Sequence, residues 1–216
     1  MKNRFTFLSS TFLLLMTMLL SSLAVQAQEE QIIRFHTNIP AKAKSAGIPA
    51  QVSFVLGASD DDQTVSIDCG SGDQEFDVKK AIIGEESGEQ TIKGSLFTGT
   101  VTDDGWVTIT GDPTNIYYFN ASGNEIDKIE FSKNLRIKVL NLEHNTLNAL
   151  DINNLKSLQV IYLQDNPFTV STPLMIGNLP DLVVLEIPQI GHISSDFTLR
   201  NFPNLRSFDA YHTLGL

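Results

Sequence analysis

The stretch Ile137-Lys138-Val139-Leu140-Asn141-Leu142-Glu143-His144-Asn145-Thr146-Leu147 carries the pattern that decides the fold. The same figure returns at Leu158-Gln159-Val160-Ile161-Tyr162-Leu163-Gln164-Asp165-Asn166-Pro167-Phe168. Set against L-x-x-L-x-L-x-x-N-x-L, with other apolar residues admitted at the Leu places, the chain yields five units. The first contributes Ile116, Phe119, Ala121, Asn124 and Ile126. The fourth has Leu182, Leu185 and Ile187, with Ile190 where Asn stood. The fifth has Leu205, Phe208 and Ala210, then Thr213 and Gly215 in the last two places. Units starting at 116, 137, 158, 182 and 205 are spaced by 21, 21, 24 and 23 residues. Chance does not readily align five apolar sets at so narrow a period.

The Leu-x-Leu centre of each unit alternates with period two, which favours a short strand over a helix. A strand with one apolar face buries that face by pairing in parallel with the next unit, so the stack shares a continuous core. After the strand the chain must turn, and turning strands buried backbone donors and acceptors without a ladder partner. An Asn side chain both donates and accepts, so Asn124, Asn145 and Asn166 are expected to form a structural ladder. Losing one such partner costs about 1–3 kcal/mol. A second apolar set follows on the return legs, at Ile129 and Phe131 and at Leu150 and Ile152.

These units resemble the leucine-rich repeats of bacterial internalin-type proteins, most nearly the internalin-J-like set with its 21-residue units and strand-like return legs. Tyr118-Phe119-Asn120-Ala121-Ser122-Gly123-Asn124-Glu125-Ile126 is especially similar. The resemblance covers residues 116–216 and implies a curved solenoid that binds proteins in adhesion or host contact, without catalysis. It departs from that set in having Ala121, Leu142, Leu163, Ile187 and Ala210 where a cysteine ladder often stands. The last two units also lengthen and lose their Asn. The sequence ends inside the fifth unit with no polar cap, so we expect a fragment or an end that pairs with another molecule; otherwise a monomer.

Upstream, the composition changes. Residues 28–110 are rich in Thr, Ser, Gly and Asp, with short β-type runs at Ile32–Phe35, Gln51–Leu56, Thr64–Cys69, Glu75–Val78 and Thr91–Lys93. Thr100-Val101-Thr102 and Trp106–Ile109, joined by Asp103-Asp104-Gly105, have the turn chemistry of a hairpin. A small antiparallel, sandwich-like β domain is expected here, with Cys69 facing inward. The expected architecture is thus mainly β: that small domain, then a leucine-rich-repeat solenoid over 111–216. Asp60-Asp61-Asp62 does not have the spacing of a calcium loop and reads as a solvated turn.

The 216 residues carry a formal charge of −10, which argues against a nucleic-acid binder. One cysteine permits neither an internal disulfide nor a multi-Cys zinc site. Met1–Ala27 reads as a secretory signal: Lys2 and Arg4, an apolar Phe12–Leu20, and small residues before the cleavage point. Its removal leaves 189 residues with a charge near −12 and no segment able to span a membrane. A secreted or surface protein of bacterial origin is expected.

Between core positions, three columns should face the concave side. The first is Tyr118, Val139, Val160, Val184 and Ser207, apolar for a row expected to be exposed. The second is Asn120, Asn141, Tyr162, Glu186 and Asp209, and the third Ser122, Glu143, Gln164, Pro188 and Tyr211. Tyr118, Val139, Asn141, Val160, Tyr162, Val184, Glu186 and Tyr211 are the candidate partner-binding residues, since aromatic anchors dominate interface energies. No catalytic motif, metal set or cofactor loop is legible. His144 and Asp165 are expected to be neighbours across adjacent strands, as an exposed pair. Function is therefore read as an exported protein-binding module. Carbohydrate or cell-wall binding, or a spacer role in a surface assembly, are the alternatives.

Overall fold

The computed structural model describes residues 30–86 and 89–214. The expected signal segment, Gly215 and Leu216 lie outside the described residues. Ten strands come first: β1 (Glu30–Thr37), β2 (Gln51–Ala58), β3 (Gln63–Asp68), β4 (Asp73–Val78), β5 (Ile82–Glu86), β6 (Glu89–Lys93), β7 (Ser95–Thr100), β8 (Trp106–Gly111), β9 (Ile116–Asn120) and β10 (Ile126–Phe131). Three-residue rungs follow: β11 (Val139–Asn141), β12 (Val160–Tyr162), β13 (Val184–Glu186) and β14 (Ser207–Asp209). The chain is mainly β, with a β-solenoid of about four turns.

Two large sheets share the work. One is antiparallel throughout, in the order β10-β1-β8-β3-β4. The other runs β14-β13-β12-β11-β9-β2-β7. Its first five strands pair in parallel, with Leu140 opposite Phe119 and Ile161, and Leu185 opposite Phe208. At β9 the sense changes, because β2 pairs with it antiparallel and β7 with β2. The β9 strand that opens the first repeat is therefore also a partner of the upstream β strands.

Alternation explains the packing. Val52, Phe54 and Leu56 of β2 are buried, as are Val65 and Ile67 of β3 and Val107 and Ile109 of β8. Phe35 of the first sheet meets Phe54 edge-on at 5.7 Å, and Phe54 lies 5.8 Å from Phe119 of the second. The apolar core is continuous from these rings through Leu140, Ile161 and Leu185 to Phe202. Each fully buried side chain of this size contributes about 1.5–3 kcal/mol of transfer free energy.

Two local readings are corrected. Residues 100–102 and 106–109 do not form a hairpin. β7 lies in one sheet beside β2 and β8 in the other between β1 and β3, so the Asp103-Asp104-Gly105 turn is a corner between layers. The turn chemistry is real, since Asp104 accepts from Thr102 at 2.7 Å and from the Trp106 amide at 3.4 Å. Turn residues specify a reversal, not which strand pairs next. A helix, α1 (Ile39–Ala46), also stands where none was expected. Its signals are Pro40 in the first turn and Gly47 at φ 68° beyond the last.

Each rung ends in the same backbone figure. The eighth residue of each unit is left-handed: Gly123 (φ 67°), His144 (54°), Asp165 (54°), Gln189 (56°) and His212 (57°). The next residue is the Asn of the repeat, buried at 3%, 5% and 1% exposure in the first three units. Asn145 Nδ2 donates to the carbonyls of Ala121 (3.0 Å) and Leu142 (2.9 Å), and Oδ1 accepts from the amides of Asn124 (3.1 Å) and Ile126 (3.0 Å). Asn166 repeats this, donating to Leu142 (2.8 Å) and Leu163 (3.0 Å) and accepting from Leu147 (3.1 Å). Asn124 turns the ladder onto β2, accepting from the Ser53 amide at 2.9 Å and donating to its carbonyl at 2.8 Å. In the fifth unit Thr213 donates its hydroxyl to the Ile187 carbonyl.

Candidate functional site

The parallel sheet presents one face to the core and the other to the concave side, so the three columns fall in register across the rungs: Tyr118, Val139, Val160, Val184 and Ser207 are successive partners. The exposure expected of this first column is not found in its first three members. Tyr118, Val139 and Val160 are 5%, 0% and 3% exposed. They form a second apolar cluster, separate from the main core, against which Val55, Ala81, Ile92, Tyr162 and Val184 pack. Val55 lies on the adjoining β2. Ala81 and Ile92 come from outside the sheet, on the segment that carries β5 and β6, a two-stranded sheet of their own. The sequence signals an apolar row here but not what packs on it: Ile82–Glu86 is not among the expected β-type runs, and Thr91–Lys93 does not name its partner.

The second column divides by length of side chain. Asn120, Asn141 and Asp209 fold back onto their own strand ends, each accepting from the amide two residues on, at 3.0, 3.0 and 2.9 Å. Asn141 is further fixed by donating to Glu143 Oε2 at 2.9 Å. In the two rungs between, this column is held by Tyr162 and Glu186, which are too long for such a turn. Both are half-buried, and Tyr211 of the third column is 65% exposed.

These side chains share a negative field. Burial, then Glu143 and Asp209, raise the Glu186 carboxyl above the ordinary carboxylate value. Burial, then Glu186, Glu143 and Tyr118, push the Tyr162 phenol up to about 12. Burial also raises the Tyr118 phenol, against the hydrogen bond it receives from Asn120 at 3.1 Å. Charges of like sign are thus held close on neighbouring rungs, where an approaching cation would relieve them.

At the turn following the ribbon, His144 Nδ1 meets Asp165 Oδ2 at 2.8 Å, with side chains 56% and 37% exposed. His212 stacks on Tyr211 with ring centroids 3.9 Å apart. A second pair, His36 Nδ1 and Asp127 Oδ1 at 2.6 Å, lies on the five-stranded sheet beside Trp106, whose ring is covered by the Arg34 guanidinium at 3.8 Å. Cys69 is buried, and burial followed by the nearby Asp68 charge pushes its thiol up to about 11. Among the described residues no three His, Cys, Asp or Glu side chains gather as a metal set, and no helix is long and apolar enough to cross a membrane.

No protein-family model matches the chain, and no curated protein or solved structure matches it.

Proposed function

We infer that this chain is an exported leucine-rich-repeat module, of the internalin-like kind, that holds a protein ligand on the concave ribbon of its solenoid. The observation that carries the reading is the pair Tyr162 and Glu186. They hold half-buried, long side chains at the places where Asn141 and Asp209 cap their own strand ends, and burial followed by the neighbouring acids Glu143 and Asp209 raises the Glu186 carboxyl. Tyr162, Val184, Glu186 and Tyr211 then form the contact set, with Asn141 and Glu143 as a fixed polar margin. Half-buried aromatics beside a like-charged cluster favour a partner that brings a basic side chain into a partly apolar cleft. Tyr118, Val139 and Val160 support this surface from beneath.

The signal segment supports export.

The test is comparative capture on immobilised full chain. Wild type retains a protein that the double variant Tyr162→Ala/Glu186→Ala loses, while Lys133→Ala, exposed just beyond β10 and outside the contact set, retains it. An identical set of retained proteins from all three, or retention of glycans instead, refutes the reading.

A further inference from the structure

The basic residues of this chain are unevenly spread. Its 25 Asp and Glu outnumber its 15 Lys and Arg, yet one groove of about 420 Å³ is lined by Lys133, Arg136 and Lys156 and by no acidic side chain. The groove lies where the chain enters the rungs, at the other end of each strand from the Asn turns. Lys133 and Arg136 stand between β10 and β11, Lys156 between β11 and β12, and Pro113 and Thr114 just before β9. It therefore crosses the entrances of three successive rungs, a span of roughly 10 Å at the ordinary strand spacing. Asp181 holds in the fourth unit the place that Arg136 holds in the second, which ends the cationic stretch.

All three cations are exposed. Among the described residues Lys133 and Arg136 enter no ion pair, and Lys156 Nζ donates to the Asn178 carbonyl at 3.0 Å. Asp112, next to Pro113 in the chain, is turned to its own loop, where Oδ1 accepts from the Thr114 amide at 2.8 Å and its hydroxyl at 2.7 Å. Three positive side chains on one groove without a counter-charge favour an anion, and the Arg136 guanidinium can take an oxyanion through two parallel N–H groups.

The remaining walls indicate what carries the anion. Asn134, Asn154 and Ser157 line the groove, and among the described residues their side chains make no hydrogen bond. Such groups both donate and accept, as sugar hydroxyls do. The amides of Leu135, Arg136, Leu155 and Lys156 are already taken by the carbonyls of Ser132 (3.3 Å), Pro113 (3.0 Å), Ile152 (3.0 Å) and Asn154 (3.0 Å). The groove thus presents turns with engaged amides and not an open strand edge to which a peptide could add. None of the exposed large apolar side chains borders it, so nothing is poised to enter a lipid surface. No aromatic ring lines it for a nucleic-acid base to stack on.

We propose that this groove is a second binding site, which takes the charged groups of an acidic sugar chain. Arg136, with Lys133 and Lys156 beside it, holds the sulfate or carboxylate, and Asn134, Asn154 and Ser157 meet the neighbouring hydroxyls. The site shares no residue with the concave contact set, so it stands or falls apart from the protein-binding reading.

The test is fluorescence anisotropy of a labelled heparin octasaccharide and a labelled galacturonate octasaccharide, each titrated with full chain. Wild type binds at least one of them, less tightly as salt rises, and the one that binds names the anion. Lys133→Gln/Arg136→Gln weakens that binding about 30-fold, and Lys156→Gln alone about 5-fold. Lys44→Gln/Lys79→Gln removes the same charge from exposed positions elsewhere and leaves binding within about 2-fold. No binding of either sugar overturns the proposal, as does an equal loss in the Lys44→Gln/Lys79→Gln control. Binding of neutral dextran, poly-glutamate or phosphatidylglycerol vesicles as tight as that of the acidic sugars overturns it too.

Discussion

The two halves of this molecule solve one problem in different ways. Upstream of residue 111, strands end in turns whose polar groups are met locally: Asp68 accepts from the Gly70 amide at 2.7 Å and the Gly72 amide at 3.0 Å, and Asp104 accepts from the Trp106 amide at 3.4 Å. Downstream, the rungs β11 to β14 are only three residues long and pair with rungs more than twenty residues away. The turns of the second and third units are closed by a buried Asn that reaches into the previous rung. The antiparallel half secures each turn by itself, while the parallel half secures each turn through its neighbour. Defects should therefore stay local in the first and spread in the second.

The largest effect that sharpens this comparison is a cavity. Leu140 is fully buried between rungs, and Leu140→Ala is expected to destabilise by about 2–5 kcal/mol. Leu96, 65% exposed on the sandwich edge, should tolerate the same change within about 0.5 kcal/mol. Chemical denaturation of the two variants checks both. Next comes Asn145→Ala, which removes the acceptor of the Asn124 and Ile126 amides and the donor to the Ala121 and Glu143 carbonyls, while Leu142 keeps Asn166, and should cost about 2–3 kcal/mol. Hydrogen exchange should show amides of both the first and second rungs losing protection. Loss confined to one turn would break the distinction between the halves.

Gly94→Ala probes the close approach of Gly94, just before β7, to the β2 backbone and should cost about 1–3 kcal/mol, because the obstructing atom is the Leu56 carbonyl oxygen. Gln189→Gly acts in the opposite sense. Its side chain is exposed and its φ is 56°, so glycine relieves the left-handed strain, for a net gain of about 0.5–1 kcal/mol. The smallest effect belongs to Glu186. Its carboxyl keeps its proton to higher pH in the fold than in the unfolded chain, so ionisation opposes folding. The penalty is absent below the unfolded pKa, grows as pH rises through the folded pKa and is complete above it. Glu186→Gln should thus raise Tm slightly at about pH 7 and not at about pH 3.

How much of this was legible follows the same division. The solenoid could be read because each rung pairs with the next and repeats its residues: Asn124, Asn145 and Asn166, and the neighbouring His144 and Asp165, stand where the repeat places them. The upstream half could be read strand by strand but not as a topology. Its partners are remote in sequence: β1 pairs with β8 and β10, and nothing in Ile32–Phe35 names Ile129 or Val107. The candidate site was half legible for that reason. Tyr162 and Glu186 come from the repeat, but the cluster of Tyr118, Val139 and Val160 is packed against by Ala81 and Ile92, whose positions only the tertiary fold determines.

The seam at β2 and β9 has a mechanical consequence. The antiparallel ladder from Val55 to Ala58, with Asn124 clasping both polar groups of the Ser53 backbone, joins ribbon and sandwich along their length and not through a tether. A load applied along the strands must shear those bonds together instead of peeling them in turn. Whatever pulls on the ribbon therefore pulls directly, without slack, on the antiparallel strands upstream.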